Sequence, residues 1–249
     1  MRDELSEGYV IIGEQKTCVK DLSLDLCELE SLAEVQGLEN LTGLKYLTIN
    51  GTNLTRIENL DHLKALEYLL INRSYVSQIE NLESLTALKL LDLSSNNITE
   101  IKNLGGLTNL ESLLLQENGI PEIKGLENLK KLKNLNLSVN TIKKIKGLDK
   151  LVSLEELYLD GNKIYDIEGL DLLKNLKILS LGGNIIPKIK GLDSLEKLEF
   201  LDLSGNRIKE IERLDSLVNL NTLCIHGNLI SSSSLEILED MKKKGIRVY

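Results

Sequence analysis

One 22-residue pattern, repeated without interruption, constrains the fold of this chain more than any other feature of its sequence. Written from its first leucine, the unit reads L-x-x-L-x-L-x-x-N-x-I-x-x-I-x-x-L-x-x-L-x-x, and its seven apolar positions hold only Leu, Ile or Val. A ninth copy opens at Leu220 and runs into a different ending. The eight full copies begin at Leu44, Leu66, Leu88, Leu110, Leu132, Leu154, Leu176 and Leu198. A fixed period of this length is typical of a protein built from stacked repeats.

The two halves of the unit carry different periodicities, and these predict different local structures. In the segment L-x-x-L-x-L the apolar residues alternate with a period of two, which indicates a short strand in each copy. The remaining apolar positions are three residues apart, a spacing that suits turns and 3₁₀ or short helical pieces better than a long α-helix. Stacking the copies therefore predicts an α/β solenoid with a parallel sheet on one side. The sheet is expected to be concave because its strands are narrower than the opposite wall.

The uninterrupted phase of the repeat predicts a single elongated domain over residues 1–249, because no linker divides the chain. Residues 1–18 do not fit the pattern and are expected to cap the open N-terminal end of the core. Residues 19–230 form ten repeats, of which the first is irregular, with 25 residues and an extra turn expected on its outer face. The N-terminal cap is predicted to contain a strand, a turn and a return strand, at residues 9–12, 13–16 and 17–24.

The last stretch, residues 231–249, is predicted to form a C-terminal cap made of a helix and a strand. Ser233 and Glu236 have the spacing of a capping box at the start of the helix. Gly245 is expected to end the helix, and residues 246–249 alternate like a final strand. The apolar face of the helix is predicted to hold Leu235, Leu238 and Met241.

The ninth repeat position is polar in an otherwise apolar framework. A buried amide there has donors and acceptors that satisfy backbone groups where the strand turns, so the column is predicted to be an internal hydrogen-bonded ladder. The alternative is a track of ligand-binding amides. Thr52 and Ser74 hold this position near the N-terminus, and their shorter reach predicts looser stacking there. The predicted ladder consists of Asn96, Asn118, Asn140, Asn162, Asn184, Asn206 and Asn228.

Composition narrows the class of protein. The net charge of −8 and the pI of about 5.1 argue against a nucleic-acid partner. Residues 1–12 lack the apolar run of a signal peptide, and no run approaches the 18 apolar residues of a membrane span, so the chain is expected to be cytoplasmic and away from membranes. Three cysteines are an odd number without metal-ligand spacing. Cys18 and Cys27 are close enough in sequence to form a disulfide, which would leave Cys224 unpaired. Free thiols in a reducing compartment fit the odd number of cysteines better.

The unit resembles the leucine-rich repeats of the 22-residue subclass. That subclass includes the leucine-rich regulatory subunit of type-one protein phosphatase, axonemal and spliceosomal leucine-rich proteins, and the repeat regions of bacterial internalins. The resemblance implies a right-handed solenoid that binds other proteins on its concave sheet. Internalins begin with a signal peptide and a helical cap, and neither pattern is present here. The copy that shows the motif best consists of Leu132, Leu135, Leu137, Asn140, Ile142, Ile145, Leu148 and Leu151.

Constellations that carry catalysis are not recognisable in the sequence. The two histidines, His62 and His226, lie in the copies that open at Leu44 and Leu220, and no Ser-His-Asp grouping can be assembled around them. A glycine-rich phosphate loop with its lysine is missing, as is a Cys/His set with zinc spacing. We therefore expect a non-catalytic protein without cofactor or metal.

The variable positions that face outward from the sheet are the third, fifth, seventh and eighth of each copy. Large apolar side chains edged by acids on one surface are typical of a protein interface, although strands favour such residues in any case. The sequence predicts a monomer that binds a folded partner here, with the acids selecting a basic surface. The predicted partner-binding residues are Tyr46, Tyr68, Leu70, Leu90, Asp92, Leu114, Glu117, Glu156, Tyr158, Asp160, Ile178, Phe200 and Asp202.

The outer wall is rich in lysine. A solvated face that keeps the solenoid soluble fits better than a phosphate-binding or acidic-partner patch. The lysines that follow the ladder position are Lys102, Lys124, Lys143, Lys144, Lys146, Lys188 and Lys190. A column of acids on the same side is interpreted as the start of short outer helices rather than as a metal row. That column holds Asp149, Asp171, Asp193 and Asp215.

Three alternatives to a general cytosolic scaffold stay open at this point. A phosphatase regulator is implied only by the family resemblance. An extracellular adhesin or receptor ectodomain needs an export signal upstream of Met1. A structural subunit of a ribonucleoprotein predicts RNA binding through the outer lysines that weakens steeply with salt.

Overall fold

A computed structural model describes residues 9–12, 15–18, 21–25, 28–212 and 214–249. A short antiparallel hairpin of β1 (Tyr9–Ile12) and β2 (Gln15–Cys18) precedes an eleven-stranded parallel sheet in the described residues. The strands of that sheet follow chain order and are β3 (Asp21–Asp25), β4 (Tyr46–Asn50), β5 (Tyr68–Asn72), β6 (Leu90–Asp92), β7 (Ser112–Leu114), β8 (Asn134–Asn136), β9 (Glu156–Tyr158), β10 (Ile178–Ser180), β11 (Phe200–Asp202), β12 (Thr222–Cys224) and β13 (Arg247–Val248). This order confirms the predicted solenoid with a parallel sheet on one side.

The register of the sheet follows the repeat. Leu47 lies opposite Leu69, and the same 22-residue offset holds as far as the pair of Leu201 and Leu223. Because successive side chains of a strand point to opposite faces, the fourth and sixth positions of every copy face inward while the third and fifth face outward. The repeat therefore decides which residues form the exposed face of the sheet.

The core is one continuous stack of aliphatic layers. Leucine and isoleucine at the inward positions are almost completely buried from Leu47 to Leu203, since each layer packs against a neighbour of the same size and shape. No single copy can bury its own face, so the layers stabilise one another along the whole solenoid.

The wall opposite the sheet consists of turns. The backbone N–H of Leu151 donates to the carbonyl of Leu148 at 2.9 Å, and that of Leu154 donates to Leu151 at 3.0 Å. The same pair of turns recurs in each regular copy. The interpretation of Asp149 and its column as helix starts is wrong, because three-residue spacing of the apolar side chains closes turns and leaves no room for a helix.

The irregular first repeat uses its extra residues in two 3₁₀ turns, Leu32–Glu34 and Leu38–Asn40. A capping box starts the first of them: the Ser31 hydroxyl accepts from the N–H of Ala33, and the Glu34 carboxylate accepts from the N–H of Ser31 at 2.8 Å. The extra turn predicted on the outer face of this copy is therefore present.

The N-terminal prediction is correct for the first strand and wrong for the second. The return strand is Gln15–Cys18, so Lys16 lies in a strand and not in the turn. Residues 21–25 belong to the main sheet, where Leu22 and Leu24 lie opposite Leu47 and Ile49. Burial of these two leucines in the first layer of the core requires parallel pairing with β4 and separates β3 from the hairpin. Cys27 and Val19 lie outside the described residues.

The C-terminal cap has the predicted helix and strand, with a different start. Helix α1 (Ser232–Lys243) is capped by Ser231, whose hydroxyl accepts from the N–H of Ser234, so the predicted box of Ser233 and Glu236 is wrong. The hydroxyls of Ser231 and Ser234 also donate to the carboxylate of Glu210 in the preceding copy, at 2.7 and 2.9 Å. These bonds to Glu210 place the N-cap of the helix at Ser231, two residues upstream of the predicted N-cap at Ser233.

Two side-chain predictions for the cap have different outcomes. Leu238 and Met241 are buried against the core, whereas Leu235 is exposed, and Ser234 occupies the buried place one turn before Leu238. Gly245 has φ of +91°, the left-handed conformation that ends a helix at low steric cost. The final strand, Arg247–Val248, is shorter than the predicted 246–249.

The stacking near the N-terminus is not looser than elsewhere. The hydroxyls of Thr52 and Ser74 are 2.9 Å apart, and the N–H of Thr52 also donates to the Ser74 hydroxyl at 3.3 Å. Leu69 and Ile71 beside them are fully buried, so the hydroxyl pair replaces the amides without opening the core.

Within the part of the chain that the structure describes, no helix is both long and apolar enough to cross a bilayer.

Candidate protein-binding surface

Two columns of side chains cover the outer face of the sheet, one from the third and one from the fifth repeat position. The third-position column runs through Tyr46, Tyr68, Leu90, Ser112, Asn134, Glu156, Ile178, Phe200 and Thr222. The fifth-position column runs through Thr48, Leu70, Asp92, Leu114, Asn136, Tyr158, Ser180, Asp202 and Cys224. Adjacent strands are about 4.8 Å apart, so each side chain is partly covered by those beside it.

The large apolar side chains on this face form two groups rather than one continuous strip. The N-terminal apolar group lies on β4 to β7 and consists of Tyr46, Tyr68, Leu70, Leu90 and Leu114. The C-terminal apolar group lies on β9 to β11 and consists of Tyr158, Ile178 and Phe200. Between them the columns are polar, with Ser112, Asn134, Asn136 and Glu156. A partner that uses both groups must therefore span a hydrophilic stretch.

Two tyrosines stack at the N-terminal end of the face. The rings of Tyr46 and Tyr68 are parallel within 2°, and their centroids are 4.4 Å apart. The in-register pairing of β4 with β5 sets this distance, because the two residues are direct neighbours across the strands. Tyr46 is 44% exposed, so part of the stacked pair lies at the surface of the sheet.

The predicted partner-selecting acid Asp92 is not an exposed residue. Its side chain is 7% exposed, one oxygen accepts from the N–H of Ser94 at 2.9 Å, and the other accepts from Asn72 Nδ2 at 3.2 Å. The prediction of an exposed acid is wrong here, because a carboxylate at the end of a strand satisfies the N–H two residues further on, where the chain turns.

The other predicted acids are half-buried or exposed and also accept hydrogen bonds within the chain. Asp202 accepts from the N–H of Ser204 at 2.7 Å in the same geometry as Asp92. Asp160 accepts from the hydroxyl of Ser180 and from the N–H of Gly182. These bonds hold the carboxylates in place while their negative charge remains on the face of the sheet.

Glu117 lies at the edge of the polar stretch, and Glu156 lies within it. Glu117 is exposed and accepts from the hydroxyl of Ser95 at 2.7 Å. Glu156 accepts from Asn134 Nδ2 at 2.7 Å and from the Tyr158 hydroxyl at 3.1 Å. Burial, followed by the nearby charge of Glu156, raises the pKa of Tyr158 to about 12. Tyr158 is therefore a neutral hydrogen-bond donor at physiological pH.

At the end of the fifth-position column, Cys224 is half-buried. Burial and the nearby charge of Asp202 raise the pKa of its thiol. The thiol is therefore protonated at neutral pH and is a poor nucleophile.

The asparagine column lies inside the turn that follows each strand. Asn140 is typical: its Nδ2 donates to the carbonyls of Leu115, Leu137 and Ser138 at 3.0 to 3.2 Å, and its Oδ1 accepts from the N–H of Ile120 at 2.9 Å. Each amide thus joins its own coil to the preceding one. Equivalent bonds to two coils are made by Asn96, Asn118, Asn162, Asn184, Asn206 and Asn228. Since these donors and acceptors are already paired, they leave little capacity for a ligand.

The outer wall mixes the predicted lysines with acids from neighbouring coils. Lys124 lies 3.0 Å from Glu100 and 2.9 Å from Glu122, and these acids hold the pKa of the lysine above its ordinary value. Lys190 pairs with Asp166 at 2.7 Å. This pairing weakens any attraction of an anionic ligand to the wall.

An alternating row of charges at the second repeat position was not recognised from the sequence. Lys45 and Lys89 both contact the carboxylate of Glu67, at 2.9 and 2.5 Å, and these two lysines lower its pKa. Reading the second position down the repeats would have revealed the row. We call it the charge row; it consists of Lys45, Glu67, Lys89, Glu111, Lys133, Glu155, Lys177 and Glu199.

Among the residues that the structure describes, no group of three or more His, Cys, Asp or Glu side chains is arranged to hold a metal ion.

Family models match the repeats directly. A model described as "Leucine Rich repeats (2 copies)" matches residues 152–196 and 196–239. Two further leucine-rich-repeat models match residues 124–164 and 87–107. A comparison with curated proteins returns no match.

Solved structures provide the closer view of the fold. A leucine-rich-repeat protein of Leptospira interrogans is 28% identical, with a TM-score of 0.85; the alignment covers 92% of this chain and 59% of that one. This chain therefore spans less than two thirds of the length of the Leptospira protein. Internalin C2 of Listeria monocytogenes is 30% identical over 79% of this chain and 84% of its own, with a TM-score of 0.64.

A third structure is an octameric complex of latrophilin 3, Unc5D and the leucine-rich-repeat domain of FLRT2. The matched chain of this complex is 26% identical to this one, with a TM-score of 0.75, and the alignment covers 84% of this chain and 70% of the matched chain. Nothing in these comparisons supports the resemblance to a phosphatase subunit.

Proposed function

We propose, from the premise that this chain belongs to the leucine-rich-repeat proteins, that it is a non-catalytic scaffold that binds a folded partner protein on its concave sheet. Leucine-rich-repeat domains typically mediate protein–protein interaction, and the fold is generally non-catalytic. The proposal adds to this the surface, the anchoring residues and the charge of the partner.

The observation that carries the proposal is the placement of the chain's large side chains on the sheet. The sheet face holds Tyr46, Tyr68, Tyr158 and Phe200, which are three of the chain's seven tyrosines and its one phenylalanine. Aromatic side chains dominate the energetics of interfaces when a partner desolvates them. The stack of Tyr46 on Tyr68 costs little entropy on binding, because the two rings already restrict each other.

The backbone beneath these anchors is rigid. Every strand from β4 to β12 is hydrogen bonded on both sides, and the asparagine ladder ties the following turns together. A partner therefore meets a preformed surface and does not have to order it.

Acids around the two apolar groups favour a partner with a basic surface. Glu117, Glu156, Asp160 and Asp202 keep their charge on or beside the sheet face, whereas Asp92 is buried. Complementary charges of this kind act mainly on the association rate and on the choice of partner.

The test compares two sets of variants that remove the same kind of side chain. Tyr46→Ala with Phe200→Ala removes one anchor from each apolar group. Tyr75→Ala with Tyr165→Ala removes two exposed tyrosines that lie off the sheet. Both proteins and the wild type are used as bait in an extract of the source organism, and captured proteins are identified by mass spectrometry.

We expect one partner to be lost with the sheet variant and retained with the control variant, while both variants keep the melting temperature of the wild type. Retention by the sheet variant would refute the proposal. A third bait, Lys143→Glu with Lys144→Glu and Lys146→Glu, tests the outer wall, and loss of the partner only with this bait would place the binding site there.

The cellular location is part of the proposal. We place the chain in the cytoplasm because its three cysteines are an odd number, which fits free thiols in a reducing compartment. Similarity to internalin C2 and to the FLRT2 complex favours a second candidate, an adhesin or receptor-type domain outside the cell. Labelling of intact cells with an antibody against the chain separates the two, because only an exposed domain is labelled before the cells are opened.

A further inference from the structure

The charge row ends in an unbalanced acid. Lys177 pairs with Glu155 at 2.6 Å, and Glu199 follows as the last member. In the next coil the alternation calls for a cation, but the residue there is Asn221, whose N–H donates to the Glu199 carbonyl at 2.8 Å. Among the described residues, no Lys or Arg nitrogen lies within 4.0 Å of the Glu199 carboxylate.

A groove of about 980 Å³ lies beside Glu199, between residues 211–212 and 214–221 on one side and helix α1 on the other. It exists because the copy that opens at Leu220 has no aliphatic residue at its last three apolar positions. Those positions hold Ser233, Glu236 and Glu239. The turns of the preceding copy are covered instead by Met241 of α1, which fills less space than a complete coil.

The groove has an apolar interior and an exposed apolar rim. Leu217 and Met241 form its floor, and Leu214 and Ile246 are half-buried beside them. Val218 on the rim is 74% exposed, and Ile237 on the opposite side is exposed as well. The apolar surface that a further coil would cover is therefore open.

Acids outnumber bases among the described residues that line the groove. Glu199, Glu212, Asp215 and Asp240 face a single lysine, Lys244. Asp240 is paired with Lys243 at 3.0 Å, which leaves three acids against one base. Arg247, the next cation in the chain, lies opposite Thr222 in the third-position column and so does not continue the charge row.

We propose that this groove is a second docking surface, separate from the sheet face, and that it binds a short basic amphipathic segment of a partner protein. An aliphatic side chain of the segment packs between Val218 and Ile237. A lysine or arginine of the segment lies against Glu199, in the place where the charge row lacks its next cation. The inference does not depend on binding at the sheet, because it uses none of the residues of the two apolar groups.

The test uses the full chain and a defined probe, a short fluorescein-labelled peptide of alternating leucine and lysine, measured by fluorescence anisotropy. The same peptide with glutamate in place of lysine reports whether the charge matters. Val218→Ser removes the apolar rim, and its matched control is Val152→Ser, which changes an exposed valine at the same repeat position three copies earlier.

Asn221→Lys supplies the missing cation within the chain, and its control is Asn97→Lys, an equal change of net charge at an exposed site far from the groove. We expect Val218→Ser and Asn221→Lys each to weaken binding of the lysine peptide about tenfold, which corresponds to about 1.4 kcal/mol. The controls are expected to stay within about twofold, and the glutamate peptide is not expected to bind.

Three results would overturn the inference. In the first, the lysine peptide fails to bind the wild type. In the second, the control variants weaken binding of the lysine peptide as much as the groove variants do, which would indicate attraction to the negative chain as a whole. In the third, the free chain self-associates in sedimentation experiments and Val218→Ser makes it monomeric, which would make a second copy the occupant. The Tyr46→Ala and Phe200→Ala protein should bind the peptide as the wild type does, so this test and the sheet test fail independently.

Discussion

Replacing Asn140 by alanine tests whether the asparagine ladder holds adjacent coils together. The substitution removes the acceptor of the buried Ile120 N–H and the donors to the carbonyls of Leu115, Leu137 and Ser138. A buried unsatisfied N–H costs about 2 kcal/mol, and each of the two N–H groups of the amide contributes about 1 kcal/mol. We therefore expect the free energy of unfolding to fall by about 4 kcal/mol, measured by urea denaturation followed by circular dichroism.

Hydrogen exchange gives this prediction its local readout. The amide proton of Ile120 should lose protection in Asn140→Ala, while the equivalent proton of Ile186, held by Asn206, should keep it. Asn97→Ala is the control, since Asn97 is exposed beside the ladder and should change stability by less than about 0.5 kcal/mol. If Asn140→Ala and Asn97→Ala had equal effects, the ladder would not be a stabilising element.

Two further predictions concern the backbone and the charge row. Val139 has φ of +55° at a repeat position that holds glycine in five other copies, and its side chain is 54% exposed. A β-branched residue in this conformation costs about 1–2 kcal/mol, so Val139→Gly should raise the melting temperature. The control is Val152→Gly, at an exposed valine whose φ is not positive, and this change should lower the melting temperature. Glu67 has a pKa below its ordinary value because Lys89 and Lys45 contact it. A depressed carboxyl pKa stabilises the fold above the unfolded-state pKa of about 4.3, and this stabilisation is lost as pH falls through the folded-state pKa. Acid unfolding of Glu67→Gln should therefore depend less on pH between about 5 and 3 than that of the wild type, and an identical dependence would show that the row contributes nothing.

The two proposed surfaces would allow one chain to hold a folded partner and a flexible segment at once. The sheet face is rigid, broad and centrally placed, and its aromatic side chains suit a folded surface. The groove by α1 combines apolar side chains with more acids than bases among its described lining residues, and it suits an extended or helical basic peptide. Both favour cations, which agrees with the net charge of −8.

Predictions failed where a side chain had two possible hydrogen-bond partners. Ser231 starts α1, and not Ser233, because Glu210 of the preceding copy collects the hydroxyls of the serine run. Asp92 was predicted to face a partner but accepts from Ser94 and Asn72. In both cases the deciding partner lies in the neighbouring coil or around a turn, and a pattern read along one strand does not include it.

The sequence by itself determined the solenoid, its parallel sheet and the buried aliphatic residues of the regular copies. Identical spacing in eight copies permits one stacking register only, since a shift by one residue would turn the leucines outward. Only the tertiary structure decided that the apolar face is split into two groups and that a groove opens where the last coil is incomplete. Those features depend on distances between coils and on how far α1 reaches over the final layer, which are set by packing and not by the repeat.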